Sequence, residues 1–315
     1  MADSTFGGVH QNQALDNGLI GYKNQQYVLA GNVIKKIPVK FKSDDYYIYD
    51  KGCFFRREAR VGTARGKVPR VGFTYSTATY NCEPYEIAVE IPQRLRDNMD
   101  PAIKADLDGG RKALDQVLLD QEIRAATLLA TTANWSTTVA IGAGSEFDSA
   151  GGGDPLGVIE TAIRAVRSGI GVPANTIVMT WTVARVLRTH AAIQEYIKYS
   201  NTPNDPSVAD ATVLAKVFGV DNVYIVGGMY DSADEGGTST LTNILTDTTW
   251  IGYVAPNPGF MEPSAAYIFE WKPPSIESWS ENDPKQLVVK AESSYDAKAT
   301  LAAAGYTLTN CSANI

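Results

Sequence analysis

Two histidines and three cysteines are all the imidazole and thiol chemistry in this chain of 315 residues. His10 lies in a polar, glycine-dotted segment, and His190 falls in "VLRTHAAIQEY" near a helix end, where an imidazole ordinarily caps or faces solvent. A Ser-His-Asp or Cys-His centre therefore has few ways to assemble. Cys53, Cys82 and Cys311 are odd in number, show no short paired spacing, and read as ordinary thiols of a reducing compartment. No Cys/His spacing matches a zinc site, and "DSADEGGTST" lacks the oxygen register of a calcium loop, so it reads as a solvated tip. "GAGSEFDSAGGGDP" is not followed by Gly-Lys-Ser/Thr, and "VYIVGGMYDS" has two glycines where a dinucleotide fingerprint needs three. The first reads as a hinge centred on Gly151, Gly152 and Gly153. No catalytic residue, metal or cofactor is expected.

What remains is charge and its placement. The chain has 28 Lys and Arg against 35 Asp and Glu, a net charge of −7, which argues against nucleic-acid binding by the chain as a whole. The balance is uneven. Residues 35 to 70 hold eleven basic and four acidic side chains, whereas residues 231 to 296 hold eleven acidic and three basic. Arg56, Arg57, Arg60, Arg65, Lys67 and Arg70 stud the glycine-punctuated stretch that ends "EARVGTARGKVPRVGFTYSTATY", and Phe54, Phe55 and Phe73 lie beside them. Such a ribbon could track a nucleic acid, or it could be an extended arm that pairs with protein charges. The second reading also accounts for the acidic C-terminal third.

The elements that must carry these residues emerge from pattern. Residues 1 to 38 are polar with only a weak apolar pattern in "YVLAGNVIKKIPV", an arm that something else must order. Residues 39 to 90 have strand chemistry and read as one long hairpin, and a lone two-stranded ribbon buries too little surface to stand alone. Asp100 and Pro101 suit a helix start, and Leu107, Leu114, Val117, Leu118, Ala125 and Leu128 recur at helical steps to about residue 131. Gly109 and Gly110 predict a bend or break in that helix. The glycine-rich run at 142 to 153 marks the clearest boundary, after which Asp154 and Pro155 open a second helix ended by Gly169 and Gly171. Beyond it, "NTIVMT" and "NVYIVGG" read as buried strands among helices, and "TTWIGYVA", "AAYIFEWK" and "KQLVVKAESSYDA" as three late strands, the last two separated by a turn through "WKPPSIESWSENDPK". "ATLAAAGYTLTN" closes as a short strand. No run reaches the length of a membrane helix.

Taken in order, the polar arm, basic hairpin, "EPYEIAVEIPQRLRDNMDP", the helix containing "LLDQEIRAATLL", the glycine-rich hinge and "ANTIVMTWTVARVLRTHAAIQEYIK" resemble the major capsid proteins of tailed bacteriophages with the Hong Kong 97-like fold, over almost the whole chain. The resemblance implies an α+β fold: an N-terminal arm at 1–38, an E-loop hairpin at 39–86, a peripheral domain with a long spine helix at 87–152 and 248–294, and an axial domain at 153–247 and 295–315. It implies a non-enzymatic subunit, assembled in the host cytoplasm into hexamers and pentamers of a virion capsid around double-stranded DNA, without sequence-specific binding and without a membrane. The E-loop would lie across a neighbouring subunit, with a separate scaffolding protein, a portal and a possible decoration protein as partners. Some members join subunits through a Lys–Asn isopeptide bond, for which Lys51 or Lys67 and Asn282 lie in suggestive regions without a matching motif. An encapsulin-like compartment around enzymes is the alternative within the fold, and an α/β enzyme with a strand-rich appendage the alternative outside it.

Overall fold

The computed structural model describes residues 24, 27–59, 61–62, 67–68, 70–72, 74–98, 105–149, 153–199, 210–234, 236–259 and 262–312. The Asp100–Pro101 helix start, His10, Arg60, Arg65, Phe73, Gly151 and Gly152 lie outside the described residues. In chain order the elements are β1 (Lys35–Pro38), β2 (Ser43–Tyr49), α1 (Gly52–Phe55), β3 (Tyr75–Asn81), β4 (Glu83–Pro92), α2 (Gln93–Asp97), α3 (Ala105–Ala130), β5 (Thr137–Ala140), α4 (Pro155–Ile170), β6 (Thr176–Thr180) and α5 (Trp181–Thr189). They continue with α6 (Ala191–Tyr199), α7 (Ala211–Phe218), β7 (Asn222–Val226), β8 (Met229–Asp231), β9 (Leu241–Asn243), β10 (Thr248–Gly252), β11 (Ala266–Asn282), β12 (Lys285–Ala299) and β13 (Gly305–Thr309).

Two sheets organise the chain. One has the order β1-β11-β12-β4, the other β5-β13-β10-β6-β7. In the second, β6 is flanked by β10 and β7, and every one of its residues is buried, as a strand without an edge requires. Asp154 caps α4 by accepting from the Gly157 amide at 2.9 Å, and Gly171 closes it in the left-handed conformation, both as the sequence predicts. Helices α5 and α6 break at His190.

The structure departs from the expected boundaries in four places. The hairpin, expected to run to residue 86, ends at Asn81, because Glu83–Pro92 leaves it to pair with β12. Thr248–Gly252, expected with the peripheral strands, is the middle strand of the five-stranded sheet, hydrogen-bonded to β13 and β6. Thr137–Ala140 joins the same sheet beside β13, and residues 295–299, expected in the axial part, remain in β12. Nor is "WKPPSIESWSENDPK" a turn: β11 runs through it to Asn282. Strand β1 pairs with β11 only as far as Glu270, so among the described residues the outer side of β11 beyond that point faces no strand. Pro273 and Pro274 fall there, where the register to β12 slips, and their missing N–H groups cost no ladder bond.

Helix α3 is continuous across Gly109 and Gly110 for 26 residues, roughly 39 Å at about 1.5 Å per residue. The two glycines serve close packing instead of a break. A Cβ on Gly109 would come within 2.9 Å of Ile91 Cδ1, and one on Gly110 within 3.7 Å of Val289 Cγ1, so the helix lies directly on β4 and β12. Its buried face combines small residues, Gly109, Gly110, Ala113, Ala125 and Ala126, with Val117 and Leu129, while Leu107 is exposed and Leu114 and Leu118 are half-buried.

That face also buries a carboxylate. Glu122 is 1% exposed, and its two oxygens accept the backbone N–H groups of Val28, Leu29 and Ala30 at 2.8, 2.8 and 2.9 Å. This is what orders the arm. Leu29, Val33 and Ile34 then pack into the core, β1 joins β11, and the Asn24 side chain exchanges two hydrogen bonds with the main chain of Met229 in the two-stranded β8–β9 sheet. Replacing Glu122 by Ala orphans three amide donors and is predicted to destabilise the fold by about 3–5 kcal/mol, with Glu122→Gln costing about 1–3 kcal/mol. Denaturant melts, with hydrogen exchange at residues 28 to 30, check both.

Candidate functional site

The hairpin that carries the basic residues has a firmly built root. Strands β2 and β3 pair from Ser43↔Asn81 to Tyr49↔Tyr75. At the base, Tyr80 stacks on Phe269 of β11 with centroids 4.6 Å apart, and Tyr46 packs against the same ring at 5.2 Å. Ser43 Oγ donates to the Tyr80 carbonyl at 3.1 Å, the Asn81 amide donates to Asp296 at 2.9 Å, and Cys82 is fully buried with its thiol 3.3 Å from the Phe269 carbonyl oxygen. Burial pushes the Cys82 thiol and the Tyr80 phenol above their ordinary values, so both stay protonated and act as packing groups. The next strand is tied to the long helix: the Arg124 guanidinium lies 4.1 Å over the Tyr85 ring, bonds Asp120 at 2.7 Å, and Asp120 accepts from the Tyr295 hydroxyl at 3.4 Å.

Beyond the root the hairpin is different. Tyr47, Tyr49, Tyr75 and Phe54 form a ladder of edge-on ring contacts 5.3 to 6.4 Å apart, exposed along one side. Arg56, Arg57, Lys67 and Arg70 are all exposed, and among the described residues none of them forms an ion pair. Val61 is 97% exposed and Val68 is 80% exposed, so these described residues near the tip have almost no support from their own chain. The ribbon is not wholly unsupported, however. Lys51 Nζ donates to the Ser168 carbonyl at 2.8 Å, and the Phe55 ring lies against Gly171, at the end of α4. Sequence reasoning weighed the charges here and passed over the aromatic ladder, although alternate tyrosines in "YYIY" and "YSTATY" were its signal.

The sheet register places a set of opposite charges on one face. Glu86 of β4, Glu292 of β12 and Ser275 of β11 share a row, as do Ala88, Lys290 and Glu277, then Glu90, Val288 and Trp279, then Gln286 and Glu281. This face is opposite the one that α3 covers, because Val89 and Val289, which pair with each other, contact the helix glycines. Five glutamates therefore share it with Lys290, which bonds Glu86 and Glu292, and with Lys272, 3.6 Å from Glu292. Lys290 holds the Glu292 carboxyl below its ordinary value, and the two glutamates hold the ammonium above its own.

The remaining candidates are structural. His190 Nδ1 accepts from the Ala192 amide at 3.3 Å, which leaves Nε2 to donate to the Gly153 carbonyl at 3.0 Å. Gly153 is itself pinned: a Cβ there would lie 2.6 Å from the carbonyl oxygens of Ser145 and Glu146. Phe147 is buried and its amide bonds the Cys311 carbonyl, while Asp148 and Asp247 both bond Ser312. Burial raises the Asp247 carboxyl, with smaller contributions from Asp148 and Glu146. Among the described residues, no group of three or more His, Cys, Asp and Glu could hold a metal ion, and no helix is long and apolar enough to cross a membrane.

Comparison with known proteins places this geometry. A phage-related protein from Bordetella bronchiseptica RB50 superimposes with a TM-score of 0.69 at 19% identity, covering 96% of this chain and 97% of the other. A chain of the capsid structure of cyanophage P-SCSP1u covers 92% of this chain and 90% of its own length, with a TM-score of 0.60 at 10% identity. The chain has the Hong Kong 97-like capsid fold. In its terms the β2–β3 hairpin is the E-loop and α3 the spine helix. In sequence the chain is 26% identical over 208 residues to a major capsid protein of Burkholderia phage BcepMu, an alignment that spans 64% of this chain and 65% of that protein's length. No family model matches.

The E-loop root and the glycine-rich connection can each be tested. Phe269→Ala removes the ring on which Tyr80 and Tyr46 both pack and is expected to cost about 3–5 kcal/mol, with amide exchange rising first at residues 43 to 46 and 78 to 82. Asp247 holds its proton more tightly folded than unfolded, so its carboxylate subtracts stability as pH rises from the ordinary carboxylate value through the raised one. Asp247→Asn should melt like the parent at pH 3 and above it by pH 7, the gap opening across that window.

Proposed function

We propose that the chain is the major capsid protein of a tailed-phage particle, a structural subunit without enzymatic activity that closes into an icosahedral shell of hexamers and pentamers. The observation that carries this is the E-loop: a root locked into the sheet, and a cationic, apolar-dotted tip that its own chain leaves exposed. The acidic face of β4, β12 and β11 offers the matching surface on a neighbouring copy. The capsid fold and the likeness to a phage major capsid protein support the same reading.

The physical division of labour is between area and charge. An exposed ion pair contributes about 0.2–1 kcal/mol, too little to hold subunits together. Covering the tip valines, Phe54 and the tyrosine ladder contributes at about 25 cal/mol per Å² before the costs of association. Charge then selects register and partner, and the closed lattice makes individually weak contacts collectively strong. A separate scaffolding protein, a portal, a possible decoration protein and enclosed DNA are the partners this role calls for, with assembly in the host cytoplasm. The hinge function proposed for Gly151, Gly152 and Gly153 narrows to the first two, because Gly153 and residues 147 to 149 are fastened on either side.

Charge reversal tests the reading. Arg57, Arg65 and Arg70 changed to Glu should leave a folded, soluble subunit whose particle yield falls by about tenfold or more, and Glu86, Glu90 and Glu277 changed to Lys in the same chain should restore part of it. Electron microscopy of particles formed at low salt reads the result. Normal particles from the triple variant would remove the tip from assembly. Nucleic acid inside purified shells agrees with a phage head, whereas enclosed protein cargo would assign the chain to an encapsulin-like compartment.

A further inference from the structure

Among the described residues, the E-loop touches its own body at one place beyond the root, the C-terminal end of α4. Lys51 Nζ donates to the Ser168 carbonyl at 2.8 Å and lies 6.0 Å from the centroid of the Phe55 ring. That ring rests on Gly171, whose φ of +83° and lack of a side chain make the seat: a Cβ there would fall 2.5 Å from Phe55 Cζ. Asp50 and Cys53 close the local turn through the Thr74 main chain, so residues 50 to 55 and 74 move together. We propose that this contact is a releasable latch, which holds the hairpin of the unassembled subunit against its own α4 and lets go when the tip engages a neighbouring copy. The proposal rests on the self-assembly reading.

Three features argue for release. The contact is slight, since Phe55 remains 60% exposed in it and the hydrogen bond beside it goes from an exposed ammonium to a main-chain carbonyl. The seat also gives the cations next to it only the partial negative charge of a helix C-terminus and no carboxylate of its own. Arg56 and Arg57 come directly after the seated ring, whereas the last turn of α4 carries Arg167 and no acidic residue. Counter-charge is found instead on the outer face of the four-stranded sheet, at Glu86, Glu90, Glu277, Glu281 and Glu292. Finally, the root and the latch are unequal. Stacked rings and buried bonds fix Tyr46, Tyr80 and Cys82, while Tyr47 and the Tyr75–Thr77 stretch between root and latch are exposed. A strip held strongly at one end and weakly near the other can change its resting place without unfolding.

The latch can be broken from either side. Phe55→Ala removes the ring, and Gly171→Asn keeps a residue that tolerates the left-handed cap but fills the seat. In subunits kept below the concentration that forms particles, both variants should raise amide exchange at residues 46 to 49 and 75 to 78 by about tenfold, with residues 28 to 30 unchanged. In light-scattering assays both should assemble with a lag about two- to fivefold shorter than the parent. Unaltered exchange in the hairpin would show that no latch exists. Faster exchange with slower assembly would show that the contact belongs to the assembled state, and would equally overturn the proposal. Failure of the parent chain itself to form particles would count against the self-assembly reading, while the exchange measurement would still decide whether the hairpin is held.

Discussion

A single turn of the spine helix, residues 120 to 124, holds most of the molecule in register. Asp120 and Arg124 grip Tyr295 and Tyr85 in two adjacent strands of the four-stranded sheet. Gln121 accepts from Lys36, which also pairs with Glu270, and so fixes the parallel edge strand. Glu122 receives three successive amides of the arm. A carboxylate in that position is costly to bury and is tolerated because every lone-pair direction toward the arm finds a donor. Arm, edge strand and hairpin root are therefore oriented by one rigid rod, and the E-loop inherits its direction from that rod.

The rod reaches the sheet closely because much of its buried face is nearly bare. Gly109, Gly110, Ala113, Ala125 and Ala126 give little transfer free energy of their own, but they let the main chain of the helix approach the strands, where Ile91 and Val289 fill the space. The helix is thus held by shape and by its polar turn more than by large side chains. The five-stranded sheet does the opposite, with isoleucine, valine, methionine and leucine on both faces of β6. One part of the chain is a conventional core and the other a platform for the hairpin.

Much of this was legible in the residues themselves. The hairpin, the capped start and glycine end of α4, the buried strand β6, the helix end at His190 and the polarity of charge all arise from local pattern, whereas β7, expected to be buried, is the edge of its sheet with only Val223 and Val226 buried. The misreadings have specific causes. Helical periodicity drew the stripe through Leu107, Leu114, Val117, Leu118, Ala125 and Leu128, of which Val117 and Ala125 are buried, and it missed the buried Gln-Glu pair at 121 and 122, which looks solvent-facing until its partners, some ninety positions earlier, are known. Gly109 and Gly110 looked like breakers because propensity knows nothing of the neighbouring strand. Strand β10 was assigned to the wrong sheet because its partners, β6 and β13, lie about 70 positions before it and about 57 after it, a pairing that no local signal encodes. Likewise, a double proline ends a strand only if both sides of that strand are occupied.

That double proline has a further consequence. A bare strand edge can add partners without limit, and such growth never closes. The outer margin of β11 is the longest such edge among the described strands of the four-stranded sheet, and Pro273 and Pro274, which carry no N–H donor, interrupt it where the register to β12 slips. Runaway strand addition along that margin is thereby discouraged.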